Sequence, residues 1–220
     1  VKQGLEGSGA QLEIFYMDTK RKTGDAWKEE AGKLAKAKVD EFQPDVVITT
    51  DDNAQAYFAK DYAGKGKPSI VFCGVNAKPE KYGFPADNVT GILERPHLVD
   101  TIQMMLAIKS DIKKIGILTD KSPTSDAVVE YIKTLELPGG VQIVSYDQPE
   151  TFAQWQATIQ KYQNSVDAFG INMYHTVKKT ADAETSMEPA DVISWTMQNN
   201  QLPTFGFFPF CIEDGCLCGI

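Results

Sequence analysis

Histidine and cysteine are scarce. The 220 residues hold two histidines, His97 and His175, and four cysteines, Cys73, Cys211, Cys216 and Cys218. Three of the cysteines crowd the end of the chain with the spacing C-x4-C-x-C. A metal site built on them would need a fourth ligand from Cys73, His97 or His175. Neither C-x2-C spacing nor a histidine pair is present, so no metal is expected. Free, mostly buried thiols and a disulfide in an exported protein both stay open. Positive charge is in deficit: 22 Lys and Arg against 30 Asp and Glu leave a net charge of −8. That argues against a general nucleic-acid surface and disfavours adhesion to anionic lipid. No apolar run approaches the roughly 20 residues of a membrane span. No Gly-x-Ser-x-Gly elbow, no dinucleotide G-x-G-x-x-G and no Ser-His-Asp set can be assembled. Ser122-Pro123-Thr124-Ser125 lacks the glycines and the Gly-Lys-Ser/Thr end of a P-loop, and Thr90-Gly91-Ile92 resembles no phosphate cradle. No catalytic residue and no cofactor is therefore expected.

What the chain does have is a repeated punctuation. Five times a short apolar run ends in a small polar cluster. Val46 to Thr50 runs into Asp51-Asp52-Asn53, and Ile70 to Cys73 into Gly74-Val75-Asn76. Ile115 to Leu118 runs into Thr119-Asp120-Lys121-Ser122, Ile143 to Tyr146 into Asp147, and Ala168 to Ile171 into Asn172-Met173-Tyr174-His175. An open parallel sheet writes this pattern, because its strands are buried on both faces and its ligands bind beyond their carboxyl ends.

Between these runs lie helical patterns. Trp27, Ala31, Leu34, Ala35 and Phe42 share one face of a helix that Asp25 opens. Asp52 or Asn53 is read as capping a helix through about Tyr62. Leu98, Ile102, Met105 and Leu106 mark another helix, and Ser125 to Leu137, Thr151 to Tyr162 and Pro189 to Asn199 three more. Gln11 to Tyr16 alternates and predicts a strand, Val89 to Ile92 a short edge strand, and Pro203 to Phe208 the last strand. Val1 to Gly9 reads as the last turn of a helix with a Gly-Ser-Gly exit. The end at Cys216-Leu217-Cys218-Gly219-Ile220 reads as a segment about to continue, so the chain is expected to be an internal piece of a longer one. The βα pattern restarts at Lys109. The fold class expected is α/β: two Rossmann-like lobes with parallel sheets and an inter-lobe cleft, lobe 1 over residues 1–108 and lobe 2 over residues 109–220.

Several strand-end residues can carry chemistry. Asp51 and Asp52 point apart on an extended segment and make a poor acid–base pair. Asp52 suits a helix cap, and Asp51 suits a ligand's ammonium or hydroxyl. Ser122, Thr124 and Ser125, between a strand and a helix start, suit a ligand's carboxylate or phosphate, although one of them must cap the helix. Asn76 ends a strand and could simply make a turn. Glu94 and Arg95 could be a surface ion pair. His175, beside Tyr174, is a loop residue or faces the cleft. Amides and hydroxyls with few titrating groups favour holding a molecule over transforming it.

The order of the motifs resembles a known family. Tyr16-Met17-Asp18-Thr19-Lys20-Arg21, Pro44-Asp45-Val46-Val47, Asp51-Asp52-Asn53-Ala54, Val71-Phe72-Cys73-Gly74-Val75-Asn76, Asn88-Val89-Thr90-Gly91 and Lys114-Ile115-Gly116-Ile117-Leu118 follow one another as in the substrate-binding proteins of bacterial ATP-binding-cassette importers. Those proteins have the type I periplasmic binding protein fold, and the closer likeness is to the branch related to aromatic amino-acid binders. The resemblance implies an exported, periplasmic or extracellular protein whose lobes close on a small-molecule ligand by a hinge. The ligand implied is an amino acid or related small polar metabolite, the partner a membrane permease, with no nucleic acid. Family ligand positions map onto Asp51, Asp52, Asn53, Ala54, Asn76, Thr90, Glu94, Ser122, Thr124, Ser125, Asn172 and Tyr174. The family's small residues after the third strand are here Asp-Asp-Asn-Ala, which points away from an aromatic amino acid. The rivals are the ligand-sensing domain of a membrane receptor, a flavodoxin-like or sugar-isomerase enzyme, and the effector domain of a transcription regulator.

Overall fold

The computed structural model describes residues 2–219; Val1 and Ile220 lie outside the described residues. Two parallel sheets follow one another along the chain. The first has the order β1-β2-β3, with β1 at Val46–Thr50, β2 at Ser69–Val75 and β3 at Val89–Leu93. Helix α1 (Asp25–Phe42) precedes β1, and α2 (Asp51–Tyr57) follows it without a loop. The second sheet has the order β5-β4-β6-β7-β8: β4 at Lys114–Leu118, β5 at Gln142–Asp147, β6 at Ala168–Ile171, β7 at Thr204–Gly206 and β8 at Cys218–Gly219. All strand pairs are parallel. Helices α4 (Pro123–Ile132), α5 (Phe152–Tyr162), α6 (Pro189–Asn199) and α7 (Pro209–Glu213) make its crossovers.

Burial explains why the second sheet reads as continuous apolar runs. Ile115, Ile117 and Ala168 face one core with Val128 and Ile132 of α4. Leu118, Phe169 and Ile171 face another with Trp155 and Ile159 of α5 and Val192 of α6. Helix α3 (Leu98–Ile108) precedes Lys109 in sequence, yet Leu98, Ile102 and Met105 pack into the first of these cores. Its amphipathic pattern announces a buried face without saying which sheet receives it. The first sheet differs. Ile70, Phe72 and Val89 are buried against Ala35 and Phe58, while Val46, Ile48, Val71 and Ile92 lie exposed on the other face. Of the four cysteines, Cys211, Cys216 and Cys218 are buried and Cys73 is half-buried, all as free thiols.

Four sequence expectations are corrected. Gln11 to Tyr16 joins neither sheet, and Leu12, Ile14, Phe15 and Tyr16 are exposed; alternation makes a strand only where a sheet edge accepts it. Gln3–Leu5 is a 3-10 turn and not an α-helical one. The helix after β1 stops at Tyr57 and a 3-10 turn, Ala59–Tyr62, completes it. The last apolar run is strand only over Thr204–Gly206, because Pro209 starts α7 and the chain returns as β8.

Candidate ligand-binding site

In the second sheet the chain leaves β4 toward β5 on one side and returns to β6 on the other. The crevice at that reversal lies beyond the carboxyl ends of β4 and β6, where open α/β sheets place ligands. Thr119 to Ser122 and Asn172 to His175 form its walls. Asp120 ties them together. It is fully buried, and its carboxylate accepts hydrogen bonds from the Ser122 hydroxyl at 2.8 Å, the Ser125 hydroxyl at 2.7 Å and the Thr176 N–H at 2.9 Å. The Thr119 hydroxyl accepts from the Asn172 amide at 3.1 Å and the Met173 N–H at 3.2 Å. Ser122 also caps α4, accepting from the Ser125 N–H at 3.2 Å.

The first sheet repeats the device. Asp51 adopts the left-handed region at φ 71°, which turns the chain from β1 straight into α2. Asp52, 1% exposed, then points at the neighbouring strand end and accepts from the Asn76 N–H at 3.1 Å, the Ala77 N–H at 3.0 Å and the Tyr82 hydroxyl at 2.9 Å. Asp52 is therefore a clasp between β1 and β2 and not the helix cap its position suggests. Burial, reinforced by the Asp52 charge, pushes the Tyr82 phenol far above its usual range, so it stays a donor.

The two lobes touch at these clasps. Thr124 of α4 donates to Asp51 at 3.0 Å and lies 3.4 Å from Asp52. Ala127 of α4 joins the apolar cluster of the first sheet. The second Asp51 oxygen pairs with the Lys20 ammonium at 2.7 Å. The turn around Lys20 is itself held on both sides. The Asn53 amide donates to Thr19 at 3.1 Å, while the Ser186 N–H and hydroxyl donate to the Arg21 and Lys20 carbonyls.

A pocket of about 100 Å³ lies between the lobes. Thr19, Thr23, Lys28 and Asn53 line it from the first side. Lys121, Ser122, Pro123, Glu150, Thr176 and Lys178 line it from the second. Of the sequence-expected residues, Asn53 and Ser122 reach this pocket. Asp51, Asp52 and Thr124 form the inter-lobe contact beside it, with Ala54 half-buried in the same helix. Ser125 is buried behind Ser122. Asn76 donates to Glu94 at 3.0 Å at the end of β2. Asn172 is fully buried, and its amide oxygen has no partner among the described residues. Tyr174 is also buried and donates to Asp214. Thr90 stands apart, exposed on edge strand β3 opposite Val71.

Lys28, Lys178 and Glu150 enter the site without having been singled out. Lys28 sits among the charged positions of α1 that read as a solvent face, and Lys178 follows a strand end by seven residues. Lys121 stands in a cluster already noted and needed only its neighbours. His175 packs against Tyr174 at 4.9 Å and Phe210 at 5.1 Å between ring centroids. Burial, aided by the nearby Lys20 charge, pushes its imidazole below the usual range, so it is neutral near pH 7.

No family model and no curated protein sequence matches the chain. Solved structures do. A Streptococcus pneumoniae ABC domain in complex with L-Trp is similar over 86% of this chain and 62% of its own, with a TM-score of 0.61 and 16% identity. A conserved domain protein from Vibrio cholerae has a TM-score of 0.62 at 17% identity, over 88% of this chain and 62% of its own. A solute-binding protein of an R. palustris ABC transporter, in complex with benzoate, has a TM-score of 0.62 at 15% identity, over 93% and 53%. The chain thus spans between 53% and 62% of the length of these structures. With two parallel sheets, a cleft between them and these likenesses, the chain has the two-lobed α/β fold of the type I periplasmic binding proteins.

Proposed function

We propose that this protein is an extracytoplasmic solute-binding protein that captures a small polar ligand between its lobes and delivers it to an ATP-binding-cassette importer. One observation carries the proposal: a pocket bounded on one side by Thr19, Lys28 and Asn53 and on the other by the segments that follow β4, β5 and β6, with the lobes meeting beside it at Thr124 and Asp51. A ligand that touches both lobes favours the closed arrangement over the open one, and that difference is what a permease reads. Structures sharing the fold hold L-Trp and benzoate, which supports a small-molecule ligand. Among the described residues no helix is long and apolar enough to cross a membrane.

Binding is favoured over turnover by how the titrating groups are used. Asp52 and Asp120 are saturated by N–H and O–H donors, Asp51 is shared by Lys20 and Thr124, and His175 is wedged against two aromatic rings. None is left poised to move a proton. The test is a thermal-shift screen of the protein against hydroxy acids, amino acids, sugars and nucleosides, followed by calorimetry on the hits. A ligand at 100 times its Kd should add about 2.7 kcal/mol of stability. A compound consumed by the protein, with no compound raising its Tm, would sink the proposal in favour of an enzyme.

A further inference from the structure

We propose that the inter-lobe pocket selects a small hydroxycarboxylate and rejects the amino acid of the same shape; this rests on the solute-binding function proposed above. Three lysines line the pocket, from α1 (Lys28), the β4–α4 loop (Lys121) and the segment after β6 (Lys178). The Lys28 and Lys178 side chains are only 13% and 16% exposed. Each of the three has one carboxylate near it: Asp25 at 3.0 Å from Lys28, Asp126 at 2.8 Å from Lys121, and Glu150 at 3.5 Å from Lys178. An ammonium carries three N–H donors, so each lysine keeps donors to spend on a ligand's carboxylate. The Asp25 side chain is 82% exposed and Glu150 50%, so water competes with the lysines for both.

Two of the lining residues also carry a buried oxygen without a partner, one an acceptor and the other a hydroxyl that can donate or accept. The Asn53 amide oxygen and the Thr23 hydroxyl are buried without a hydrogen-bond partner among the described residues. Asn53 is 9% exposed, and its amide nitrogen is already committed to Thr19. A ligand hydroxyl satisfies such an oxygen at no charge. A ligand ammonium would satisfy it too, but it would enter beside three lysines and have to share the Glu150 carboxylate with Lys178. Asp51 is taken by Lys20 at 2.7 Å, and Glu150, the one acidic residue of the lining, faces Lys178. A buried charge without its own partner is disfavoured far more than a neutral hydroxyl. The acid–cation pairing that Asp51 would offer an amino acid is thus used within the chain.

The test is isothermal calorimetry on matched pairs: lactate against alanine, malate against aspartate, with inorganic phosphate, neutral sugars and diamines alongside. The expected result is a hydroxycarboxylate bound at least tenfold more tightly than its amino-acid partner, weakening as salt rises. Lys28→Met and Lys178→Met should each weaken it tenfold or more, and Lys28→Arg should retain most of it. Glu150→Gln should tighten it, because a competing anion is removed; a lysine that merely supported the fold would give no such gain. If Lys28→Met fails to fold, Lys178→Met and Glu150→Gln carry the comparison. An amino acid, sugar or diamine binding best overturns the inference while leaving the solute-binding function standing. Phosphate binding as tightly, with the same lysine dependence, overturns the carboxylate assignment. If nothing in this panel or in the broader screen binds, both fail.

Discussion

Asp52 is a carboxylate whose value lies in what it joins. It sits at the start of α2 yet gathers two peptide N–H groups and a phenol from the loop after β2. Asp52→Asn replaces one acceptor oxygen with an N–H₂ that meets donors. Charge-assisted bonds of this kind are worth about 1.5–3 kcal/mol each, and they are not additive. We expect Asp52→Asn to lower unfolding stability by about 3 kcal/mol, read from urea midpoints with circular dichroism. A loss below 1 kcal/mol would mean that the β1–β2 clasp is incidental. His175 gives a pH signature. Its imidazole titrates below the ordinary histidine range in the folded protein because burial and Lys20 disfavour its charge, against Asp120, Asp214 and Asp51, which favour it. The unfolded chain therefore binds the extra proton first, and stability falls as pH drops through about 6.5, the unfolded-state value. His175→Gln should flatten that fall between pH 7.5 and 5.5; an unchanged slope would assign it to other groups. The thiols separate by burial as well. Cys211 is pushed up to about 11 and Cys216 to about 12, chiefly by burial. Iodoacetamide at pH 8 should modify half-buried Cys73 first in the native protein, and all four thiols in denaturant, by mass spectrometry.

Elements show where periodicity is sufficient and where it stops. Helix α1 spans Asp25–Phe42, where the apolar spacing places it, and α5 starts at a Thr151–Gln154 capping box. Short runs rich in Val and Ile mark both sheets, although those of the first sheet leave Val46, Ile48 and Val71 exposed. The Gln11–Tyr16 segment has an equally good pattern and makes no strand, because a strand is completed by its neighbour's backbone. Gly32 shows a contact that no pattern reveals. A Cβ there would lie 2.2 Å from the Tyr57 carbonyl oxygen, where α1 crosses the end of α2. Alanine is the better helix former by about 1 kcal/mol. A clash with backbone costs about 1–3 kcal/mol or more and wins. Gly32→Ala should therefore lower Tm by several degrees, whereas a rise would show that the two helices part freely.

At the scale of the molecule, the contact of greatest consequence is the one between lobes. Thr124→Val keeps the shape of the side chain and deletes its hydrogen bond to Asp51. On the hinge closure proposed above, a bond worth about 1 kcal/mol shifts the closed–open balance about fivefold. The ligand-free variant should show a larger radius of gyration by small-angle scattering; identical curves would make the contact a passive one. The same contact explains why the site was only partly legible. Asp51, Asn53, Ser122 and Thr124 announce themselves as polar residues after apolar strands, and the fold brings them to the cleft. Thr90, offered only by the family resemblance, lies inside edge strand β3 and is exposed there. Lys28 and Lys178 carry no local signature at all.

By itself the sequence determined most of the elements and their parallel arrangement in two sheets, and it named the edge at which a ligand is proposed to be met. Those follow from hydrophobic period and from turn chemistry, which are properties of a few neighbouring residues. Tertiary structure alone decided the rest: that α3 packs on the second sheet, that Asp51 is engaged by Lys20, and that three lysines distant in sequence face one pocket. The reason is physical. Burial and charge pairing depend on which surfaces meet, and residues 28, 121 and 178 meet only when two lobes are set face to face.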